Sequence, residues 1–474
     1  MLARCRFLVL ATTSLACGTS RSETPAADSS DSSATSAAAL DGTWKSDGYG
    51  FVLRVAGDSL HVFEATQTTC VPAEGFARSD ERAEGAEAVF ARDDDRVQVL
   101  PGADAASRRL HRAGTASDIF IRRIEALPAP CASQTPDTPP DNFEVFARNW
   151  EEHYILFDEK RVDWPRVVAA ARARVTPATP PDELFAILSG MIAPLHDAHT
   201  FIQAPAIGKS FRTLREGTDR VAKSGIAAFR EKDMPALLAV AERRLRTPLR
   251  RFCNDQVQFA HLDDSTGYLR ILSESGYTEN GGFAEGLTAL ETALDTIFTD
   301  PTLKGLVIDV RINFGGADPY GLALASRLTS ARYVAYTKEA RADPADRTKW
   351  TPGQPSEVTP SARPGFKGAV VELTGPLTIS AGETTTQALM GRQPRVLRVG
   401  EHTQGVFSDV LVRHMPNGWR FGLPNEVFRT ADGRTFDGPG IPPDIEVPVF
   451  ADADVAAGRD PALARAMAEL YRPR

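Results

Sequence analysis

Two short runs, Leu306-Val-Ile-Asp-Val310 and Ala369-Val-Val-Glu-Leu373, constrain the fold of this chain most. Each is long enough for a strand and too short for a helix, and each is apolar on both faces of a period-two pattern. Such strands need cover on both sides, the condition of a parallel sheet sandwiched between helices. Gly267-Tyr-Leu-Arg-Ile271 reads as another strand. Phe283, Leu287, Leu290, Leu294 and Ile297, spaced by four and three, form the apolar face of a helix between them. The alternation predicts an α/β core over about 261–450, followed by a segment 451–474 with an Ala- and Leu-rich helix.

Residues 40–130 read instead as a small all-β domain. Phe51-Val-Leu-Arg-Val55 and Leu60-His-Val-Phe63 flank Ala-Gly-Asp-Ser, a hairpin pattern, and Arg96-Val-Gln-Val-Leu100 and Ile119-Phe-Ile-Arg122 add strands. Gly42-Thr43-Trp44 has the G-x-W form of a small calycin-like barrel. Pro128, Pro130 and Thr135-Pro-Asp-Thr-Pro-Pro140 mark a boundary. Residues 141–260 are expected to form a helical subdomain. Phe143, Phe146, Trp150 and Tyr154 make one apolar stripe, a second helix runs from Trp164 to Ala173, and a third spans 182–193 before Pro194. The Arg-rich stretch 204–260 is expected to be helical in part.

The first residues set the compartment. Arg4 and Arg6 precede the apolar run Phe7–Ala11, the pattern of a signal peptide over 1–16, and the run is too short to span a bilayer. Ser14-Leu-Ala-Cys17 resembles a bacterial lipobox with Ser at its first position, which implies acylation of Cys17. The Ser-, Ala- and Asp-rich residues 17–39 then act as a flexible linker. Plain secretion is the alternative. Over 474 residues, 42% apolar and 24% charged, the composition is that of a soluble globular protein, with a length suited to about three domains. A net charge of −8 lacks the basic footprint of a nucleic-acid binder. The five cysteines form no C-x-x-C or zinc-like cluster. Cys70 and Cys131, which flank the β domain, are the expected pair if one disulfide forms after export.

Three stretches could carry chemistry. The strand Ala369–Leu373 runs through Thr374-Gly-Pro-Leu-Thr-Ile into Ser380-Ala-Gly-Glu383 and a helical pattern. A Ser there sits beside free N–H groups and the positive end of the helix dipole, where a nucleophile could attack and Ala381 N–H hold an oxyanion. The same four residues also spell a capping box. Asp309-Val-Arg-Ile-Asn-Phe-Gly315-Gly316 takes a buried strand into a Gly pair that lets backbone approach a ligand, or makes an ordinary turn. Phe436-Asp-Gly-Pro-Gly-Ile-Pro-Pro-Asp-Ile-Glu-Val447 is a rigid loop before a short strand.

Together and in this order, over residues 141–450, these stretches resemble peptidase family S41, the C-terminal processing and tricorn-core-like serine proteases. Leu195-His-Asp-Ala-His-Thr200 stands for the family's L-x-D-G-H-T, and Asp309–Gly316 for D-x-R-x-N-x-G-G. Gly400-Glu-His-Thr-Gln-Gly405 stands for G-E-x-T-x-G, and Asp437–Val447 for E-G-x-G-I-P-P-D-I-E-V. The resemblance implies a ClpP- and crotonase-like β/α spiral core and a peptidase without metal or cofactor, acting on proteins or peptides. It implies Ser380 as nucleophile, His199 as base and Asp437, in place of the family's Glu, as orienting acid, with Glu383 and Glu401 as fallbacks. Ala381, Gly315 and Gly316 would form the oxyanion hole. The family's Ser–Lys variant is excluded, because no lysine follows Lys367. His153, His196 and His402 read as structural or exposed. The 65 or so residues between His199 and Gly267 do not read as a PDZ domain. With the expected lipid anchor, the protein would reside in the bacterial cell envelope, at the periplasm or outer membrane. The alternative is an inactive relative of the same fold that binds hydrophobic ligands or peptides.

Overall fold

The alternating runs of the N-terminal half close on themselves. In the computed structural model, which describes residues 40–215, Thr218 and 228–472, eight antiparallel strands from Gly42–Ser46 to Ile119–Ile124 form a closed barrel. The expected hairpin is the strand pair Phe51–Ala56 and Ser59–Ala65, with Val55 opposite Leu60. Closure removes the sheet edges that would otherwise invite pairing with another chain. Trp44 of the G-x-W motif is buried, with the guanidinium groups of Arg123 and Arg108 4.6 and 5.6 Å from its ring centre. A disulfide joins Cys70 to Cys131 and fastens a barrel strand to the short helix Ala129–Ser133, while Cys253 is free and buried. The expected signal peptide, the linker and Cys17 lie outside the described residues. No helix among the described residues is long and apolar enough to cross a membrane.

Three helices follow, Pro139–His153, Trp164–Arg172 and Pro181–Ile192. Thr138 caps the first by accepting from Asp141 N–H at 3.3 Å, and Pro139 suits the first turn, where no N–H is needed. Its aromatic stripe buries Phe146, Trp150 and Tyr154 against Trp164 and Phe421. The stretch beyond is helical in part, as expected, and adds strands that the sequence did not mark. Among the described residues it holds the α-helix Met234–Glu242, but also the strands Phe201–Ala204, Lys209–Arg212, Arg250–Phe252 and Val257–His261. The reason is tertiary. Phe201–Ala204 pairs with Arg420–Pro424, a partner far along the chain, and the last two strands extend the central sheet.

That sheet has seven strands in chain order: β1 (Arg250–Phe252), β2 (Val257–His261), β3 (Thr266–Ile271), β4 (Gly305–Asp309), β5 (Ala369–Thr374), β6 (Leu397–Gly400) and β7 (Ile445–Glu446). β1–β3 pair antiparallel and β3–β7 parallel. Both faces are covered, as the apolar runs require. Leu269, Ile308 and Val370 face a core shared with α1 (Phe283–Phe298), α2 (Asp318–Leu328) and α3 (Ala381–Met390). Tyr268, Val307, Val371 and Val399 face α4 (Pro461–Leu470). Each fully buried aliphatic side chain here contributes about 1.5–3 kcal/mol. The barrel docks on this domain through polar contacts. Tyr49 Oη donates to Glu426 Oε1 at 2.7 Å, Asp118 and Gln354 exchange two bonds at 2.9 and 2.8 Å, and His414 N–H donates to Glu64 at 2.6 Å.

Candidate active site

Ser380 stands where β5, having turned through Gly375 and the short strand Leu377–Thr378, enters α3. It is the N-cap residue, and Glu383 reaches back to accept from its N–H at 3.3 Å, as a capping box would. Its backbone is not that of an ordinary cap. Ser380 sits at φ 58°, ψ −121°, where a non-glycine residue stores about 1–3 kcal/mol, whereas a cap normally adopts extended dihedrals. The strain is held from both sides. Leu377–Thr378 pairs in parallel with Ile312–Asn313, and Ile379 N–H donates to Asn313 O at 3.0 Å.

The Asp309–Gly316 stretch divides its labour. Asp309 and Arg311 are buried structural charges: Arg311 lies between Asp309, at 2.6 Å, and Asp460, at 2.8 Å. Burial pushes the Asp309 carboxyl up, but Arg311 and the Tyr268 hydroxyl hold it below the usual range. Asn313 Oδ1 accepts from Gly315 N–H at 2.9 Å, and its Nδ2 donates to Glu274 at 3.0 Å. Gly315, at φ 74°, must be glycine: a Cβ there would lie 2.6 Å from Ser380 Cβ and 3.0 Å from Ala381 N. The amides of Gly316 and Ala381 enter no hydrogen bond among the described residues, whereas that of Gly315 is engaged by Asn313.

His199 is fixed by a tight turn. His196 adopts a left-handed conformation, Asp197 Oδ1 accepts from His199 N–H at 2.8 Å, and Tyr154 Oη donates to Asp197 Oδ2 at 3.1 Å. Its ring is buried, and Nδ1 has no hydrogen-bond partner among the described residues. Burial draws its pKa below the ordinary value; Asp197 opposes this, Arg212 adds to it, and Asp409 and the Ser408 carbonyl oppose it. Ala198, Ile379 and Val406 share one apolar cluster, which brings the His199 turn, the Ser380 elbow and the 400–408 loop to one place.

No hydrogen bond joins His199 to Ser380 or Asp437 among the described residues. Asp437 is buried, and its oxygens accept from Phe407 N–H at 3.1 Å, Thr435 Oγ1 at 3.1 Å and Phe428 N–H at 3.4 Å. Burial pushes its carboxyl up to about 7. Its charge acts on Tyr154 together with that of Asp197, which sets it within electrostatic reach of the His199 turn. Glu383 accepts from Gly405 and Val406 N–H at 2.7 and 2.8 Å, so it clamps the 400–408 loop to the elbow; burial pushes it to about 7 as well. Glu401 accepts from Val449 N–H at 3.1 Å. His402 is exposed and His153 is buried.

Ser380 opens on a cleft of about 570 Å³, lined also by Gly316, Asp318, Tyr320 and Asp409 and by the barrel turn at Thr115. Three features there escaped the sequence reading. Glu274 is buried with Oε2 unpartnered among the described residues, and burial raises its carboxyl to about 7. Asp409 reaches both the cleft and Lys338. Lys338 is buried; burial alone would lower its pKa, but Asp409, Glu426 and Asp318 hold it charged. Nothing local in the sequence marks Lys338, whose partners come from distant parts of the chain.

Residues 265–447 match the family model for Peptidase family S41. Among solved structures, a candidate peptidase of Parabacteroides merdae is 25% identical with a TM-score of 0.59, covering 71% of this chain and 98% of that one. Mature CPAF complexed with lactacystin is 13% identical, TM-score 0.49, covering 68% and 95%. The photosystem II D1 C-terminal processing protease is 14% identical, TM-score 0.40, covering 68% and 98%. No curated protein sequence matches the chain significantly.

Proposed function

Because residues 265–447 form a peptidase domain of family S41, we propose that the protein is an exported serine peptidase that works through an acyl-enzyme on Ser380. The observation that carries this reading is the strained Ser380 at the mouth of the cleft, beside two uncommitted backbone amides. A Ser hydroxyl attacks a peptide carbonyl only when a base takes its proton. His199, kept neutral by burial, is that base, and it returns the proton to the departing amine. The tetrahedral oxyanion is held by Gly316 and Ala381 N–H, donors of a kind worth about 10²–10³ in rate each. Gly315 shapes the hole and does not donate. Water then attacks the acyl-enzyme by the same proton path.

Asp437 is the orienting acid of the proposal. In the resting protein its oxygens are held by backbone donors and Thr435, and substrate closure aligns it with the unpartnered His199 Nδ1. Catalytic hydrogen bonds often tighten only in such a complex. Export is supported by the Arg4–Cys17 leader pattern and by the Cys70–Cys131 disulfide, which suits an oxidising compartment. Acylation of Cys17 would place the enzyme on a membrane of the cell envelope.

A fluorophosphonate probe tests the nucleophile. Wild type should label at Ser380 and Ser380→Ala should not; an intact wild type that stays unlabelled would mean a binding protein of this fold. Asp437→Asn should lower kcat about 10⁴-fold. Near-normal turnover would move the role to Asp409, whose charge also reaches His199.

A further inference from the structure

We propose that the barrel lumen is a specificity pocket of the peptidase, taking a large, uncharged apolar side chain of the substrate peptide. The proposal rests on the peptidase reading above. The barrel encloses a cavity of about 430 Å³ between its inner face, where Leu53, Leu60, Phe76 and Leu110 lie, and the catalytic domain. That volume falls within the range of about 300–1,000 Å³ typical of small-molecule sites. The lumen does not stand apart from Ser380. Thr115, Asp409 and Val410 line both this cavity and the Ser380 cleft, so the two spaces share a wall.

Charge decides what kind of occupant fits. Six of the ionisable groups around the lumen are paired among themselves, Glu64 with His414 at 2.9 Å, Glu74 with Arg112 at 3.3 Å and Glu426 with Lys338 at 3.2 Å, while the exposed Arg420 at its edge donates to Gln203 at 2.6 Å. A charged guest seated among these pairs would have to break one of them, whereas an apolar one leaves them intact. Val412, 37% exposed, lines the same cavity and is one of two large apolar side chains exposed among the described residues.

Asn425 separates a peptide from a simple hydrophobe. It lines the cavity, is 1% exposed, and its Nδ2 is buried without a hydrogen-bond partner among the described residues. A buried amide donor left unmade is destabilising. A substrate backbone carbonyl would accept from it while the adjoining side chain fills the lumen, a pairing that a hydrocarbon chain cannot supply. The barrel thus selects the residue that positions the scissile bond at Ser380.

The test uses the full chain carrying Ser380→Ala. Fluorescent octapeptide pools, each with one position fixed as Leu or Ala and the rest randomised, are titrated by anisotropy. At one position the Leu pool should bind at least about tenfold tighter than the Ala pool, the usual worth of a filled apolar pocket. Val62→Trp, which fills the lumen, should cut that ratio to below about threefold. Thr115→Trp, in the turn at the shared wall, should do the same, so a lumen variant that misfolds does not end the test. Equal binding of Leu and Ala pools at every position overturns the proposal. So does a ratio unmoved by both variants, or a lumen-bound naphthalene dye that free fatty acid expels and the Leu pool does not. Labelling of wild-type Ser380 is read separately: no labelling with the Leu preference intact removes the peptidase reading and keeps the peptide pocket.

Discussion

The barrel and the catalytic domain use charge in opposite ways. On the barrel's outer surface, away from the pairs of its lumen, Arg96 and Glu81 meet at 2.8 Å with side chains 31% and 53% exposed. In the frame around Ser380 the ion pairs are inside, with Arg311 1% exposed between two aspartates. Closure and an apolar inner face already determine the barrel's shape, so its surface pairs add little. The loops around Ser380 have no such framework. Their shape comes from directional bonds made by Arg311, Asn313 and Glu383, each lost at high cost because each group is already out of water.

The contrast breaks first, and by the largest effect, at its ion pairs. Arg311→Met leaves Asp309 and Asp460 buried without a countercharge and should cost about 3–5 kcal/mol, whereas Arg96→Met should cost less than about 1 kcal/mol. Urea unfolding of both variants measures this, and equal shifts would erase the distinction. Glycines sharpen it next. Gly315→Ala places a Cβ on Ser380 and should lower turnover by about 10²-fold, the scale of a small misplacement. Gly57→Ala in a barrel turn, at φ 57° with open space around it, should cost about 1–2 kcal/mol of backbone strain and leave turnover alone.

The smallest effect is in pH dependence. Burial pushes Glu274, Glu372, Glu383 and Asp437 up to about 7, above their unfolded values near 4. Between those values the folded form holds protons that the unfolded form has released, so these groups make stability fall as pH rises from about 4.5 to 7. In the barrel, burial pushes Glu74 up, but Arg92 and Arg112 win and hold it low. Its contribution is present above its unfolded value and is lost as pH falls through the folded one. Glu383→Gln should flatten the catalytic domain's slope by one proton, read from melting temperatures across that range; an unchanged slope would place its titration elsewhere.

The runs at 306–310 and 369–373 were legible as strands because apolar residues on both faces demand cover, and β4 and β5 have it. The three lead-in helices were legible from their stripes. Barrel closure was legible only in the G-x-W motif at Gly42–Trp44, since a strand such as Cys70–Ser79, with Pro72, Glu74 and Gly75 in it, shows no alternation alone and pairs only with neighbours already in place. On its own stretch Ser380 read more readily as a cap than as a nucleophile, and the structure shows the capping box together with a φ of 58° that an ordinary cap lacks. The bonds of Asp437, to Phe407 and Phe428, and the Lys338–Asp409 contact depend on how distant loops meet, which no local pattern records.

The pairing of Arg311 with Asp460 ties the Ser380 neighbourhood to a residue 149 positions later, where Asp460 also caps α4. As the chain is made from its N-terminus, every motif around the nucleophile exists before the group that neutralises Arg311. A chain stopped short of residue 460 would carry all the proposed chemistry on an unanchored frame.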